Sequence, residues 1–190
     1  MEFTRSLQGL VAGIICATSI NALAADNQKV ASGSSDSKTT AMDFRKEAII
    51  GDVHHTHQME IRLSKLGAET TKNADVRAMS QHMIGDHEKA DSDLETLAKT
   101  EKITLSTFSA ADSEKGVMDG LKKLTGDGFD IAYLDFQRDT HAALAGKLKL
   151  LIAEEKYASV KKMLQTILPT VENHEKMSAS LESKAKSMSK

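Results

Sequence analysis

The sequence predicts an all-α fold, and three observations support this class. The chain of 190 residues contains one proline and many Ala, Leu, Lys, Glu and Met residues, which favour helices. Several stretches carry apolar side chains at steps of three and four residues, the spacing of one helix face. Two short links and one long link separate four such long stretches. The clearest apolar stripes comprise Val76, Met79, Met83, His87, Ala90, Leu94 and Leu97; Tyr133, Gln137, His141, Leu144 and Leu148; and Leu164, Ile167, Val171, His174, Met177 and Leu181.

The N-terminal segment, residues 1–24, predicts a signal peptide. Its apolar run, residues 10–20, is too short to span a bilayer comfortably, and Ala22-Leu23-Ala24 is the small-x-small pattern that precedes a cleavage site. We therefore expect export to the periplasm or secretion, with no stable membrane span after cleavage. An uncleaved anchor helix is the alternative. Cys16 is the only cysteine, so the mature chain would contain no disulfide bond.

The remainder of the chain predicts a spacer followed by one helical domain. Residues 25–42 are polar and Ser-rich, which indicates a disordered spacer, and the folded domain is expected over residues 43–187. Asp43 and Asn73 are suitable N-caps, and Pro169 predicts a kink in the last helix. The expected helices span residues 43–71, 73–101, 109–125, 129–155 and 158–187, of which the third is short.

The lengths of the links predict the arrangement of the helices. The first two long helices are joined by a short link, as are the last two, so each pair should form an antiparallel hairpin. Roughly 27 residues connect the two hairpins, which is enough for a crossover along the helices that carries its own short helix. This pattern describes a ferritin-like four-helix bundle better than a simple up-and-down bundle.

Four histidines are expected at one level of this bundle. His57 and His87 lie about 15 residues on either side of the first short link, and His141 and His174 lie similarly around the second, so each pair should meet at mid-height. The position of His57 is the least determined of the four, because two different apolar stripes can be drawn on the first helix. Glu60 follows His57 by one turn on one of those faces.

Buried imidazoles at one level suggest a metal site. Each ring nitrogen needs a partner, and an unsatisfied buried group costs about 1–3 kcal/mol. A transition-metal ion, copper, zinc or iron, would satisfy several rings at once. The alternative is a hydrogen-bonded network that only fixes the packing. The candidate ligands are His87, His141, His174, His57 and Glu60, with Asp86 and Tyr133 as groups that would orient them.

A histidine-rich run on the first helix adds a second candidate feature. His54, His55, His57 and Met59 lie there, with His82 and Met83 expected opposite, and such ligands suit copper. The alternative is an incidental solvated cluster. We expect His54 and His82 to point outward.

Several function classes are disfavoured. The net charge is −2, aromatic residues make up 4% and tryptophan is absent, so nucleic-acid binding is not expected. The Glu-x-x-His pattern of di-iron bundles is missing, as are the nucleophile-elbow and phosphate-loop motifs. We therefore lean against an enzyme without excluding one. Amphipathic helices could also form a homodimer, which an exposed apolar stripe on residues 110–124 would support.

Four further motifs have a distinctive combination of residues. They are Met83-Ile84-Gly85-Asp86-His87, Phe129-Asp130-x-x-Tyr133 with His141, Leu168-Pro169 with His174, and Glu60 with Leu63 and Leu66. Over residues 43–182 this combination resembles one family, the exported bacterial proteins of domain of unknown function 4142. The resemblance implies a ferritin-like fold and periplasmic or extracellular residence, but no settled activity. A neighbouring ferritin-like family with a similar Met-Ile-x-x-His helix is linked with periplasmic copper handling. Thr140, just before His141, departs from the Asp that the family usually carries there.

Overall fold

The computed structural model describes the backbone of residues 35–189 and the side chains of residues 44–189. The described part of the chain contains five helices and no strand, which confirms the all-α prediction. The predicted signal peptide, residues 1–24, and the start of the predicted spacer lie outside the described residues. The helices are α1 (Ser35–Thr70), α2 (Ala74–Thr100), α3 (Asp112–Leu121), α4 (Gly126–Glu154) and α5 (Ala158–Met188).

The starts of three helices differ from the sequence expectation by three residues or more, and α3 ends at Leu121 rather than at residue 125. Helix α1 begins at Ser35 rather than at Asp43, because no glycine or proline interrupts residues 35–50. Helix α3 begins at Asp112 rather than near residue 109. At this start, the Glu114 carboxylate accepts a hydrogen bond from the Ala111 N–H at 2.7 Å. Helix α4 begins three residues early, since Gly126 adopts a φ of 57° that lets the chain turn directly into the helix.

Helices α1 and α2 form an antiparallel hairpin around the link at residues 71–73. Lys46 near the start of α1 donates to Glu101 at the end of α2 at 2.6 Å. Lys65, later on α1, donates to Glu88, earlier on α2, at 3.1 Å. Asn73 caps α2 through its side-chain oxygen, which accepts from the Asp75 N–H at 2.9 Å.

Helices α4 and α5 form the second antiparallel hairpin, around the link at residues 155–157. Lys149 on α4 pairs with Glu172 on α5 at 2.8 Å, and Arg138, earlier on α4, pairs with Glu182, later on α5. The chain continues as helix through Pro169, which removes one backbone hydrogen bond within α5. No helix within residues 35–189 combines the length and apolar character that crossing a membrane requires.

Two apolar clusters fill the interior, and each receives residues from all four long helices. The cluster nearer the link at residues 71–73 also contains Val117 and Leu121 of α3. The apolar face of α3 is thus buried rather than exposed as a stripe. In the sequence of every long helix, the central histidine lies between the residues of one cluster and those of the other. Representative residues are Leu63, Met83, Tyr133 and Ala185 in the first cluster and Ile50, Leu94, Leu148 and Val171 in the second.

Candidate metal centre

Four histidines, one from each long helix, meet between the two apolar clusters. His57, His87, His141 and His174 are 3%, 2%, 1% and 0% exposed. The ring centroid of His87 lies 5.7 Å from that of His141 and 5.1 Å from that of His174, and the last two rings are 5.1 Å apart. His57 lies 5.3 Å from His87. The histidines of the apolar stripes thus form one contiguous cluster of imidazoles, each from a separate helix.

Three of these rings can share one ion. One nitrogen each of His87, His141 and His174, which we call the inner set, lies within 4.8 Å of the other two. Zinc–imidazole bonds are about 2.0–2.1 Å long, so small rotations of the three rings would bring the nitrogens into range. The inner set is fully buried. His57 and Glu60, the other two candidate ligands, do not belong to it.

The bonding partners of His141 and His174 assign their protons. His141 Nδ1 lies 2.9 Å from the carbonyl oxygen of Gln137, and a carbonyl only accepts, so Nδ1 carries the hydrogen and Nε2 a lone pair. His174 Nε2 lies 3.0 Å from the Asp86 carboxylate oxygen, and a carboxylate only accepts, so in the neutral ring Nε2 carries the hydrogen and Nδ1 the lone pair. The lone pairs of His174 Nδ1 and His141 Nε2 then face each other at 3.3 Å. Two facing lone pairs repel each other, which favours a bound cation between them.

His57 and His87 also have ring nitrogens without hydrogen-bond partners among the described residues. Their Nδ1 atoms are 3.0 Å apart, so one ring donates to the other. The Nε2 atoms of both rings are buried and have no hydrogen-bond partner among the described residues. When both rings are neutral, one of these Nε2 atoms is a bare lone pair. Such atoms normally find a partner in a folded protein.

Burial keeps the cluster neutral. Desolvation lowers the pKa of His57 to about 4, mainly opposed by the charge of Asp91, and lowers that of His141 to about 4. Desolvation and the neighbouring imidazoles also lower the pKa values of His87 and His174. Neutral imidazoles are the form that ligates metals. The cluster is therefore prepared for a cation at neutral pH.

Glu60 is a buried acid beside this cluster. Burial raises the pKa of its carboxyl to about 7, and a hydrogen bond with Gln137 and the charge of His174 only partly offset that effect. Its Oε2 atom has no hydrogen-bond partner among the described residues. The side chain is thus close enough to His174 to influence it electrostatically, but it lies outside the inner set.

Asp86 and Tyr133, the two expected orienting groups, differ in their contacts. Asp86 contacts His174 directly, as an orienting carboxylate should. The Tyr133 hydroxyl instead accepts hydrogen bonds from Ser80 at 3.1 Å and from the Gln137 side chain at 3.3 Å. Tyr133 therefore reaches His141 only through Gln137, whose own carbonyl binds the ring.

The histidine-rich run of α1 is bound to acidic side chains of other helices. His54 Nδ1 lies 2.6 Å from Asp91 of α2, so the expectation that His54 points outward is wrong. His55 Nε2 lies 2.8 Å from Glu114 of α3, and its ring stacks on Phe108. Asp91 lies four residues after His87, which places it on the buried face of α2. That spacing was the available sequence signal for this partner.

Two further groups of side chains have ligand atoms within 4.8 Å of one another. One contains His54, Asp91 and Glu95, and the other contains His82, Asp86 and His174. The second group shares His174 with the inner set. His82 is exposed, as expected, although its Nε2 atom lies 3.2 Å from Asp86.

No curated protein and no solved structure matches the chain significantly. The sequence model of one family, described as "Domain of unknown function (DUF4142)", matches residues 31–181. That match includes α1 to α4, most of α5 and all four histidines of the cluster. The chain therefore belongs to the family Domain of unknown function (DUF4142).

Proposed function

We propose that this protein is an exported, ferritin-like helical protein that binds a transition-metal ion through the inner set, His87, His141 and His174. The observation that carries the proposal is the convergence of three buried imidazole nitrogens from three helices within 4.8 Å. Buried lone pairs that face each other, as those of His141 Nε2 and His174 Nδ1 do, are costly unless a cation lies between them.

The remaining residues of the cluster support the inner set. Asp86 fixes the orientation of His174, and such carboxylates strengthen the ligating histidine they contact. His57 holds His87 through the contact between their Nδ1 atoms. Glu60 could supply a carboxylate oxygen as a further ligand, since its carboxyl interacts electrostatically with His174 and its Oε2 has no partner among the described residues. Imidazole ligands suit copper, zinc and iron alike.

The ferritin-like arrangement and export complete the proposal. The ferritin-like part of the proposal is supported by the two antiparallel hairpins and by the length of residues 101–125, which join them and contain α3. The segment that precedes the helices carries the signal-peptide pattern described above. Metal binding or handling outside the cytoplasm is the resulting role. Secretion of a tagged chain, with cleavage after Ala24 read by mass spectrometry, would test the second part.

A metal-uptake experiment tests the central proposal. Metal-free protein is mixed separately with Zn²⁺, Cu²⁺ and Fe²⁺, and the bound metal and the melting temperature are measured. A ligand present at a hundredfold excess over its Kd stabilises the fold by about 2.7 kcal/mol. We expect uptake that His141→Leu abolishes and that His55→Ala, a histidine outside the cluster, leaves unchanged. Failure of all three ions to bind the wild-type protein would overturn the proposal.

A purely structural network is the second candidate, favoured by the hydrogen bonds that join Ser80, Tyr133, Gln137 and His141. In that case the histidines fix the packing of the helices and bind no metal. Absence of uptake, together with a stably folded His87→Leu variant, would support this alternative. A leucine there would fill the apolar stripe without leaving an unpaired nitrogen.

A further inference from the structure

We infer a second metal position, on the surface side of the first. His82, Asp86 and His174, which we call the outer set, form a partly exposed site where a divalent ion such as Zn²⁺ or Cu²⁺ binds before it reaches the inner set. This inference rests on the proposed function, because it concerns how the buried site is filled.

The geometry of the outer set is that of a small N,O,N site. The same Asp86 oxygen, Oδ2, lies 3.2 Å from His82 Nε2 and 3.0 Å from His174 Nε2. The three ligand atoms lie within 4.8 Å of one another. Two imidazoles and one carboxylate are a donor set that suits zinc and copper. The Asp86 carboxylate, which lies between the two rings, also attracts a cation.

Exposure falls steadily across the outer set. The side chains of His82, Asp86 and His174 are 49%, 34% and 0% exposed. An ion from solvent can therefore contact His82 and Asp86 without any opening of the helices. The three ligands of the inner set, in contrast, are all buried.

His174 connects the two sets through its two nitrogens. Nε2 faces Asp86 in the outer set, and Nδ1 faces His141 Nε2 of the inner set at 3.3 Å. Helix α2 also connects the two sets, because Asp86 of the outer set and His87 of the inner set are consecutive residues. An ion on the outer set is thus one side chain away from the buried site.

The third group, His54, Asp91 and Glu95, provides a matched comparison. It also combines a histidine with carboxylates within 4.8 Å, and His54 pairs with Asp91 at 2.6 Å. It shares no residue with the inner set. A loading role should therefore depend on His82 and not on His54.

Loading kinetics test the outer set. Metal-free wild-type protein and the variants His82→Ala and His54→Ala are mixed rapidly with Zn²⁺, and uptake is followed with a colorimetric chelator that competes for free ion. Release into excess chelator and the equilibrium Kd are measured on the same samples. We expect His82→Ala to slow uptake and release equally, on the order of tenfold, with an unchanged Kd, because a group on the path alters neither end state. His54→Ala should match the wild type.

Four other outcomes would contradict either the outer set or the proposed function. A wild-type uptake rate in His82→Ala would overturn the outer set while the inner site stands. Weaker equilibrium binding by the same factor as the slower uptake would make His82 a ligand of the final site, which also overturns the inference. Equal slowing in His54→Ala would show a general effect of removing a histidine, with the same consequence. Absence of Zn²⁺, Cu²⁺ and Fe²⁺ binding by the wild type would instead refute the proposed function itself.

Discussion

His57 and His87 face each other across the first hairpin with their Nδ1 atoms 3.0 Å apart, while both Nε2 atoms are buried without a partner among the described residues. One ring must donate to the other, so the contact couples the tautomers of the two rings. His87 belongs to the inner set, and His57 does not. His57 therefore acts on the proposed metal through His87, as an orienting group does.

His57→Phe should weaken metal binding without abolishing it. The change removes the nitrogen that fixes the His87 tautomer, and loss of such partners typically costs about 10–100-fold in metal affinity. Competition with a chelator of known affinity would measure the change. The matched control is His55→Phe on the same helix, which should bind as the wild type does. Unaltered affinity in His57→Phe would show that His87 needs no orienting partner.

The metal-free protein should lose stability on acidification. His57 and His141 have pKa values of about 4 when folded and 6.5 in the reference state. The unfolded chain therefore binds more protons between about pH 6.5 and pH 4, so stability is lost as the pH falls through that window. Glu60 acts oppositely, because its pKa of about 7 makes the folded form hold a proton that the unfolded chain releases above pH 4.5.

The histidines should have a larger effect than Glu60 on the pH dependence of stability. Burial lowers the pKa values of all four rings, whereas Glu60 is a single acid whose pKa it raises. Urea unfolding of the metal-free protein at several pH values measures the slope. The same series on His141→Leu should give a shallower slope, because one titrating ring is gone. A free energy of unfolding that stays constant from pH 7 to pH 4.5 would contradict the prediction.

Gly67→Ala should destabilise the fold. Helix α1 approaches Tyr133 so closely there that an added Cβ would lie 2.6 Å from the ring Cζ and 2.7 Å from Ser80 Oγ. Overpacking of this kind costs about 1–3 kcal/mol. The matched control is Gly51→Ala, also within α1, where an added Cβ would meet none of the described residues within 4 Å. That variant should gain up to about 1 kcal/mol from helix propensity, and thermal unfolding of both proteins would compare them.

Tyr133→Phe should reduce stability but leave metal affinity unchanged. The hydroxyl bonds to Ser80 and Gln137, and its loss leaves buried polar groups unpaired at about 1–3 kcal/mol. The hydroxyl contacts no ring of the inner set, so the ligands should keep their positions. Urea unfolding and chelator competition would separate the two effects. A marked fall in affinity would show that Tyr133 orients the ligands after all.

The sequence predicted the fold class and the histidine cluster for a common physical reason. His87, His141 and His174 occupy regular positions of apolar stripes, and helical periodicity alone places such residues inside. The equal distances from the two short links then predicted their common level. Both inferences depend on local spacing, which a single sequence contains.

The features that were missed depend on how helices rotate against one another. His54 was expected to face solvent, and it binds Asp91 because α1 turns that face toward α2. The bond of Tyr133 to Ser80 likewise requires the close approach at Gly67. The early start of α1 had another origin, since Asp43 is a good cap but nothing before it stops the helix.

The two hairpins contribute unequally to the inner set. His87 comes from the first hairpin, whereas His141 and His174 come from the second. An ion held by all three would act as a cross-link between the N-terminal and C-terminal halves of the chain. Removal of the ion would then weaken the contact between the two halves before either hairpin unfolds. The availability of the metal would therefore determine how stably the two halves pack together.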